Sequence, residues 1–231
     1  MTDSPVEGQW PRLLSLSVHE LRTPISVVAG YLRMVLKDPA GTLDGRYRHF
    51  LEEGEKSCAR LAALVAEMSE LSALESGKAG FKRAPFDLRA LLVDAIAALP
   101  EVPERTVEVE LTTGDGPAVV EGDSPRLKTA LAAVLHGLRR EVVSTDRLVV
   151  RERAGEYNNK PASWIAIAEA EHIDSVSNAA LESLTTFDEW RGGCGLSLAV
   201  ARRIIDRHAG AVWSLAEGPK TAAVVVLPLK P

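Results

Sequence analysis

The feature that most constrains the fold is a pair of long stretches with helical periodicity at the start of the chain. In the first, from about Trp10 to Lys37, apolar residues recur every three or four positions. They are Leu13, Leu14, Leu16, Leu21, Ile25, Val28, Leu32 and Val35. Pro24 interrupts this pattern and should bend the helix, because proline removes one backbone hydrogen bond. The following segment, DPAGTLDG, contains a proline and glycines and should end the helix.

A second helix is predicted from about Arg46 to Glu75, with a seven-residue repeat typical of a helical bundle. The repeat consists of Leu51, Gly54, Cys58, Leu61, Val65 and Met68, with Leu64 and Leu71 beside it. Two helices alone cannot bury this much apolar surface, whereas two hairpins paired in a four-helix bundle can. Residues 1–77 are therefore predicted to form an all-α dimerisation hairpin, and the chain is expected to be a homodimer.

The pattern changes after residue 77. Residues 78–87 are predicted to be a linker because of their glycines, proline and charges. Beyond them, short helices and strands alternate irregularly. Helices are predicted over 88–99, 125–143 and 195–208, and strands over 106–111, 118–120, 147–153, 163–168, 211–215 and 222–227. This order favours an α+β two-layer sandwich over residues 88–231, in which helices cover one face of a sheet.

Composition narrows the classes of partner. The net charge is −5 and no long basic run is present, which argues against nucleic acid as a partner. No apolar run reaches the roughly 20 residues of a membrane-spanning helix, and the N-terminus lacks the pattern of a secretory signal. The two cysteines, Cys58 and Cys194, are far apart and do not have metal-site spacing. We therefore expect a cytoplasmic protein with reduced thiols, no metal site and no membrane partner.

The stretch SVHELRTP, which begins at Ser17, carries the first candidate chemistry. On a helix, His19 and Thr23 lie on one face, and Glu20 is close enough to touch a group that approaches the imidazole. A neutral imidazole is a nucleophile toward phosphorus, and a neighbouring acid can handle its proton. Arg22 adds a positive charge that can contact phosphate. Taken residue by residue, an ordinary surface histidine with solvated neighbours explains the pattern better.

The complete string resolves this choice, because HELRTP at the start of a helical hairpin resembles the phosphoacceptor box of bacterial two-component sensor histidine kinases. Three later strings also resemble that family. GDSPRLKTAL is similar to the segment leading into the family's asparagine box, and RGGCGLSLAVARRIIDRHAGAVWSL to its second glycine box and the following helix. AAVVVLPL is similar to its last strand. The resemblance covers nearly the whole chain, from about Leu13 to Leu229.

The resemblance implies a phosphoacceptor hairpin followed by an ATP-binding fold. It implies that His19 is the phosphoacceptor and that Glu20 assists transfer as an acid or base. It also implies that Thr23 positions a water for dephosphorylation of a partner's receiver domain. A response-regulator receiver domain is therefore the expected partner, and a partner histidine kinase is a further possibility.

The resemblance breaks down where ATP chemistry needs particular side chains. The family's asparagine box reads N-L-L-x-N-A-x-K and supplies an oxygen ligand to magnesium. In this chain Ala133 and Gly137 stand at the two asparagine positions, and neither side chain has an oxygen. Arg140 matches the basic residue and is a candidate nucleotide contact. His136 lies nearby, but imidazole is a poor magnesium ligand.

The family's glycine boxes are only partly present. In the first, D-x-G-x-G, the aspartate binds the adenine amino group; here the string reads EAEHID, with Glu169 at the aspartate position and no glycine. The second box keeps Gly192, Gly193 and Gly195. These glycines can bring backbone N–H groups to a phosphate, or they can simply make a tight turn before a helix.

Three functions are compatible with this sequence. The first is a phosphotransferase or phosphatase-like pseudokinase, in which His19 exchanges a phosphoryl group with receiver aspartates and ATP-dependent autophosphorylation is lost. The second is an active histidine kinase that binds ATP and magnesium at an atypical site, with His136 or Glu169 replacing the missing groups. The third is a non-catalytic dimeric scaffold or inhibitor of a kinase or receiver. The first explains why a complete HELRTP box stands beside altered nucleotide boxes.

Overall fold

The computed structural model describes residues 10–37, 41–100, 106–142 and 145–230. The chain divides into two compact units, Met1–Ala79 and Gly80–Pro231. Within the described residues, no helix is both long enough and apolar enough to cross a bilayer.

The first unit is a hairpin of two helices, α1 (Trp10–Leu36) and α2 (Gly45–Glu75). The predicted boundaries of both helices agree with the structure to within one residue. Helix α1 continues through Pro24, and the carboxylate of Asp44 caps the start of α2 by accepting a hydrogen bond from the Arg46 N–H. Of the predicted seven-residue repeat, Cys58 and Val65 are buried in the hairpin, whereas Leu61 stays exposed.

The second unit contains a sheet and the helices that pack on it. Its helices are α3 (Leu88–Ala97), α4 (Ser124–Glu141), α5 (Ile173–Ser177) and α6 (Ser197–Arg207). Its strands are β1 (Ala84–Asp87), β2 (Glu108–Thr113), β3 (Val119–Gly122), β4 (Arg147–Tyr157), β5 (Lys160–Glu169), β6 (Leu184–Thr186), β7 (Ala211–Leu215) and β8 (Ala222–Pro228). Two short 3₁₀ turns lie at Leu181–Ser183 and Arg191–Gly193.

Six strands form the main sheet in the order β2-β4-β5-β8-β7-β6. Only the β2–β4 pair is parallel, and the other neighbours are antiparallel. Strand β1 lies inside the segment predicted as a linker, and it pairs with β3 in a separate antiparallel ribbon. The second unit is therefore the predicted α+β sandwich, with one strand ribbon added at its start.

The two faces of the sheet are covered differently. On one face, Ile165 of β5 and Leu227 of β8 are fully buried. Helix α6 lies close to this face, because a Cβ atom added at Gly210 would lie 2.9 Å from Leu227 and 3.1 Å from Ile205 of α6. On the other face, the short helix α5 packs Ile173 and Val176 against a cluster that includes Ala166. The sequence predicted helices on one face only, so α5 is an addition to that expectation.

The end of β3 and the end of α6 meet at a buried histidine. The Nε2 atom of His208 accepts a hydrogen bond of 2.9 Å from the N–H of Asp123, the residue that caps α4. The other ring nitrogen, Nδ1, lies 2.7 Å from the carbonyl oxygen of Ile204 and donates to it. Both nitrogens therefore have partners only when the ring is neutral and protonated on Nδ1.

Candidate functional site

The first candidate site lies on α1, where the structure puts His19 and Glu20 side by side in solvent. The exposed fractions of their side chains are 80% and 72%, and His19 Nδ1 lies 3.6 Å from Glu20 Oε1. This distance permits an ionic contact but is longer than a good hydrogen bond. Because Glu20 stands beside Nδ1, Nε2 is the nitrogen oriented to act as a nucleophile.

The next turn of α1 carries the remaining predicted residues of this site. Arg22 and Thr23 are exposed and lie three and four positions after His19, on the same side of the helix. Pro24 has no N–H, so the carbonyl of Glu20 lacks its usual helical donor. The structure therefore groups all four predicted residues within two adjacent turns.

A cavity of about 500 Å³ opens beside His19 between the two helices of the hairpin. Its lining includes Ser15 and His19 from α1, Ser69 and Ser72 from α2, and Ser76 and Lys78 just after α2. Sequence reasoning did not identify Lys78, because only the closure of the hairpin brings residue 78 next to residue 19.

The second candidate site is the face of α4 that contains Ala133 and Gly137, which were predicted to stand at the asparagine-box positions. A Cβ atom added at Gly137 would lie 3.3 Å from both methyl groups of Leu198 and 3.6 Å from Cys194 Sγ. This space is therefore already occupied by α6 and the segment before it. Ala133 and Gly137 offer no side-chain oxygen, so the residues here do not fit a magnesium ion. Nor does any group of three or more His, Cys, Asp or Glu among the described residues form a metal site.

His136, the nearby histidine considered as a substitute ligand, is partly buried. Burial lowers the pKa of its imidazole, and the positive charges of Arg139 and Arg140 lower this pKa further. The structure thus favours a neutral His136 in a cationic surrounding, which does not supply the hard oxygen ligand that magnesium prefers.

The glycine loop at Arg191–Gly195 follows a tight path before α6. Gly193 and Gly195 have φ angles of 59° and 62°, which favour glycine because a side chain would be strained there. Arg140 Nη1 donates a 3.3 Å hydrogen bond to the carbonyl oxygen of Gly193. The structure therefore brings Arg140 and Gly193 together, and this contact holds the loop against the C-terminal part of α4.

Arg191 is a residue of this loop that sequence reasoning missed. Its side chain is only 7% exposed, and Nε lies 3.3 Å from Glu141 Oε2, an ion pair that is not aligned as a hydrogen bond. Its Nη1 donates to the carbonyl of Ala222 at 3.1 Å, and Nη2 donates to the carbonyl of Lys220. Arg191 thus connects the loop to the end of α4 and the start of β8.

Glu169, predicted at the adenine-binding position, is buried at the end of β5. Its Oε2 accepts a 3.0 Å hydrogen bond from the backbone N–H of Thr145. One carboxylate oxygen of Glu169 is therefore used to hold the segment that leads into β4.

Comparison with known proteins agrees with this architecture. Residues 12–77 match the His Kinase A (phospho-acceptor) domain, and this range contains His19. Over 203 residues the chain is 26% identical to the sensor protein GacS of Pseudomonas syringae pv. syringae, covering 84% of this chain and 22% of GacS. It is 26% identical over 202 residues to the circadian input-output histidine kinase CikA of Synechococcus elongatus, covering 85% of this chain and 27% of CikA. The chain thus spans about a quarter of the length of these relatives.

Two solved structures share the fold. The histidine kinase AdeS of Acinetobacter baumannii has a TM-score of 0.57 and 20% identity, covering 92% of this chain and 98% of AdeS. Full-length ShkA in complex with AMPPNP has a TM-score of 0.65 and 20% identity, covering 95% of this chain and 46% of ShkA.

The predicted helical hairpin followed by an α+β sandwich is thus confirmed as the architecture of histidine kinases. The phosphoacceptor-domain match lies in the hairpin, whereas the matches to the relatives extend over both the hairpin and the sandwich. Residues 12–77 thus correspond to a phosphoacceptor domain, and the matches together support a relation of the chain to the sensor histidine kinases of two-component signalling systems.

Proposed function

We propose that this chain is a phosphotransfer protein in which His19 exchanges a phosphoryl group with receiver aspartates, and that it has lost ATP-dependent autophosphorylation. One contrast carries the proposal. The helical turn of α1 exposes both His19 and Glu20 to solvent. At Gly137, in contrast, Leu198 and Cys194 occupy the space into which a longer side chain would project. This pattern suits a chain that still handles phosphate on histidine but does not take it from ATP.

The transfer step takes place between His19 and the receiver and needs no ATP. The Nε2 lone pair attacks the phosphorus of the receiver's aspartyl phosphate, and a nitrogen–phosphorus bond forms. The phosphorus–oxygen bond to the aspartate breaks, and the carboxylate leaves with its electron pair. The imidazole keeps its Nδ1 proton and becomes positively charged. Glu20, 3.6 Å from Nδ1, stabilises that charge, and the reverse reaction returns the phosphoryl group.

Two neighbouring residues have roles in the same exchange. Arg22 lies three positions after His19, where its guanidinium can contact the phosphoryl oxygens during transfer. Thr23 lies four positions after His19, where its hydroxyl can orient a water for hydrolysis of the receiver's aspartyl phosphate. The chain would then act as a phosphotransferase and also as a phosphatase toward its receiver.

The partner of the hairpin is proposed to be a second copy of this chain. Leu21, Val28 and Val35 repeat at intervals of seven residues on α1, and all three are exposed in the single hairpin. On α2, Phe50, Leu61 and Leu64 are also exposed. An apolar stripe with a seven-residue repeat is the pattern that pairs helices in a bundle, so a four-helix bundle would cover it.

The cytoplasmic location of the chain remains a prediction from the sequence.

An active kinase with an atypical nucleotide site is the second candidate function. Two features favour it: Arg140 of α4 contacts the glycine loop, and the structure of the similar protein ShkA is a complex with AMPPNP. In this alternative the loop between Arg191 and α6 would open to admit nucleotide. That opening would break the contacts of Arg191 with Glu141, Lys220 and Ala222.

Labelling with ATP separates the two candidates. The purified chain is incubated with magnesium and ATP labelled on its terminal phosphate, beside a His19→Ala variant and an active histidine kinase as positive control. We expect no acid-labile, alkali-stable label on this chain, while the positive control is labelled. Label on the wild type that is absent from His19→Ala would establish an active kinase and refute the loss of autophosphorylation.

A further inference from the structure

We infer that the cavity beside His19 is the binding site for the phosphoryl group on this histidine, and that Lys78 is the cation that holds it. The inference rests on the proposed function, because it assumes that His19 is phosphorylated. It adds a binding residue from outside the HELRTP string, contributed by the turn that follows α2.

The direction of the His19 side chain supports this location. Side chains on an α-helix lean toward its N-terminus, over the residues three and four positions earlier. For His19 these residues are Ser15 and Leu16, and both line the cavity together with His19 itself. Arg22 and Thr23 lie on the opposite, C-terminal side of His19 and are not among the residues that line it. The imidazole therefore points toward the cavity, which Lys78 also lines.

The charge of the cavity suits a phosphoryl group. Lys78 brings one ammonium group, and Ser69, Ser72 and Ser76 bring hydroxyl groups. None of the described residues that line the cavity carries a carboxylate. A phosphoryl group on nitrogen carries negative charge on its oxygens, so an ammonium beside it forms a charge-assisted hydrogen bond.

The position of Lys78 is fixed by the way α2 ends. Gly77 adopts a left-handed φ of 69°, and its N–H donates to the carbonyl of Leu74 at 3.2 Å. The N–H of Lys78 donates to the carbonyl of Ala73 at 3.0 Å. This pair of bonds is the Schellman motif, which reverses the chain at a helix end. Lys78 is thus held beside the cavity by a defined turn.

Chemical phosphorylation tests the inference without ATP and without a receiver. The whole chain is treated with phosphoramidate, a small donor that phosphorylates histidine directly. Phosphate on individual histidines is then followed over time by peptide mass spectrometry. His49, which is exposed on α2, serves as the internal reference in every sample. The variants are Lys78→Gln, Lys78→Arg and, as a matched control, Lys37→Gln. Lys37 lies 18 residues from His19, about 27 Å along the helix.

We expect Lys78→Gln to slow phosphorylation of His19 about tenfold relative to His49, the effect of losing one charge-assisted hydrogen bond. Lys78→Arg should restore most of the rate, and Lys37→Gln should leave it unchanged. Equal His19 rates in wild type and Lys78→Gln would overturn the inference, as would absence of labelling on His19. If Lys78 controls the rate but no receiver exchanges phosphate with His19, the proposed function fails and the binding site stands.

Discussion

At the scale of single residues, the packing around His208 leaves no room for a side chain at Gly122. A Cβ atom at Gly122 would lie 2.6 Å from Cδ2 of His208 and 3.1 Å from Cδ1 of Leu127. His208 cannot easily move away, because both ring nitrogens are bonded to the backbone. Glycine at this position is therefore required by close approach.

Gly122→Ala should lower the free energy of unfolding by about 1–3 kcal/mol, the usual cost of overfilling a packed core. Urea denaturation of the whole chain measures this change. Gly80→Ala is the matched control, since a Cβ at Gly80 meets no atom within 4 Å, and its stability should equal that of the wild type. Equal stability of both variants would show that His208 adjusts without cost.

Some residues of the candidate sites could be predicted from the sequence, and others could not, for a physical reason. His19 and Glu20 stand in one contiguous string, whose chemistry can be read locally. Arg191 acts through contacts with residues far away in the chain, such as Glu141, and Lys78 lines a cavity together with the distant His19. Their importance depends on tertiary packing, so their sequence neighbourhood alone gave no signal for it.

At the scale of elements, His208 ties the end of α6 to the start of α4. Burial lowers the pKa of its imidazole, with further lowering from Arg83 and Arg126, while Asp123 and the Ile204 carbonyl act against this. In the unfolded chain a histidine has a pKa of about 6.5. Below that pH the unfolded chain binds more protons than the folded one, so protonation favours unfolding.

The free energy of unfolding should therefore fall as the pH drops from about 6.5 through the folded-state pKa of His208. His208→Gln should be less stable at neutral pH and should show a weaker dependence on pH, with His136 contributing the remaining slope in the same direction. Denaturation at a series of pH values measures this dependence. His49→Gln is the control for replacing a histidine at an exposed position. An unchanged slope in His208→Gln would contradict this interpretation.

The long helices and most of the strands followed from periodicity, whereas the shortest elements did not. The α1 and α2 patterns extend over many turns, so the register of apolar residues is unambiguous. Strand β1 has four residues including Pro85, and β6 has three. Neither is long enough to show an alternating pattern, and each exists because a distant strand pairs with it. Helix α5 has five residues, which is too short to show helical periodicity in the sequence.

At the scale of the whole molecule, the exposed stripe of α1 predicts the assembly state. Val28→Glu should dissociate the dimer, because burying each added carboxylate in an apolar interface costs at least about 1–3 kcal/mol. Val27→Glu is the control, since Val27 is equally exposed but points about 100° away from the stripe. Sedimentation velocity measures the mass of each variant. A wild type that is monomeric, or a Val28→Glu that stays dimeric, would contradict the proposed bundle.

Phosphotransfer from a receiver tests the central claim most directly. Receiver domains carrying labelled aspartyl phosphate are mixed with the wild type and with His19→Ala, in the absence of ATP. The account predicts that label moves to the wild type as acid-labile phosphohistidine, and that His19→Ala acquires none. Label that never leaves any receiver for His19 would contradict the claim and leave a non-catalytic scaffold. Label that reaches His19→Ala equally well would also contradict it, because another residue would then accept the phosphoryl group.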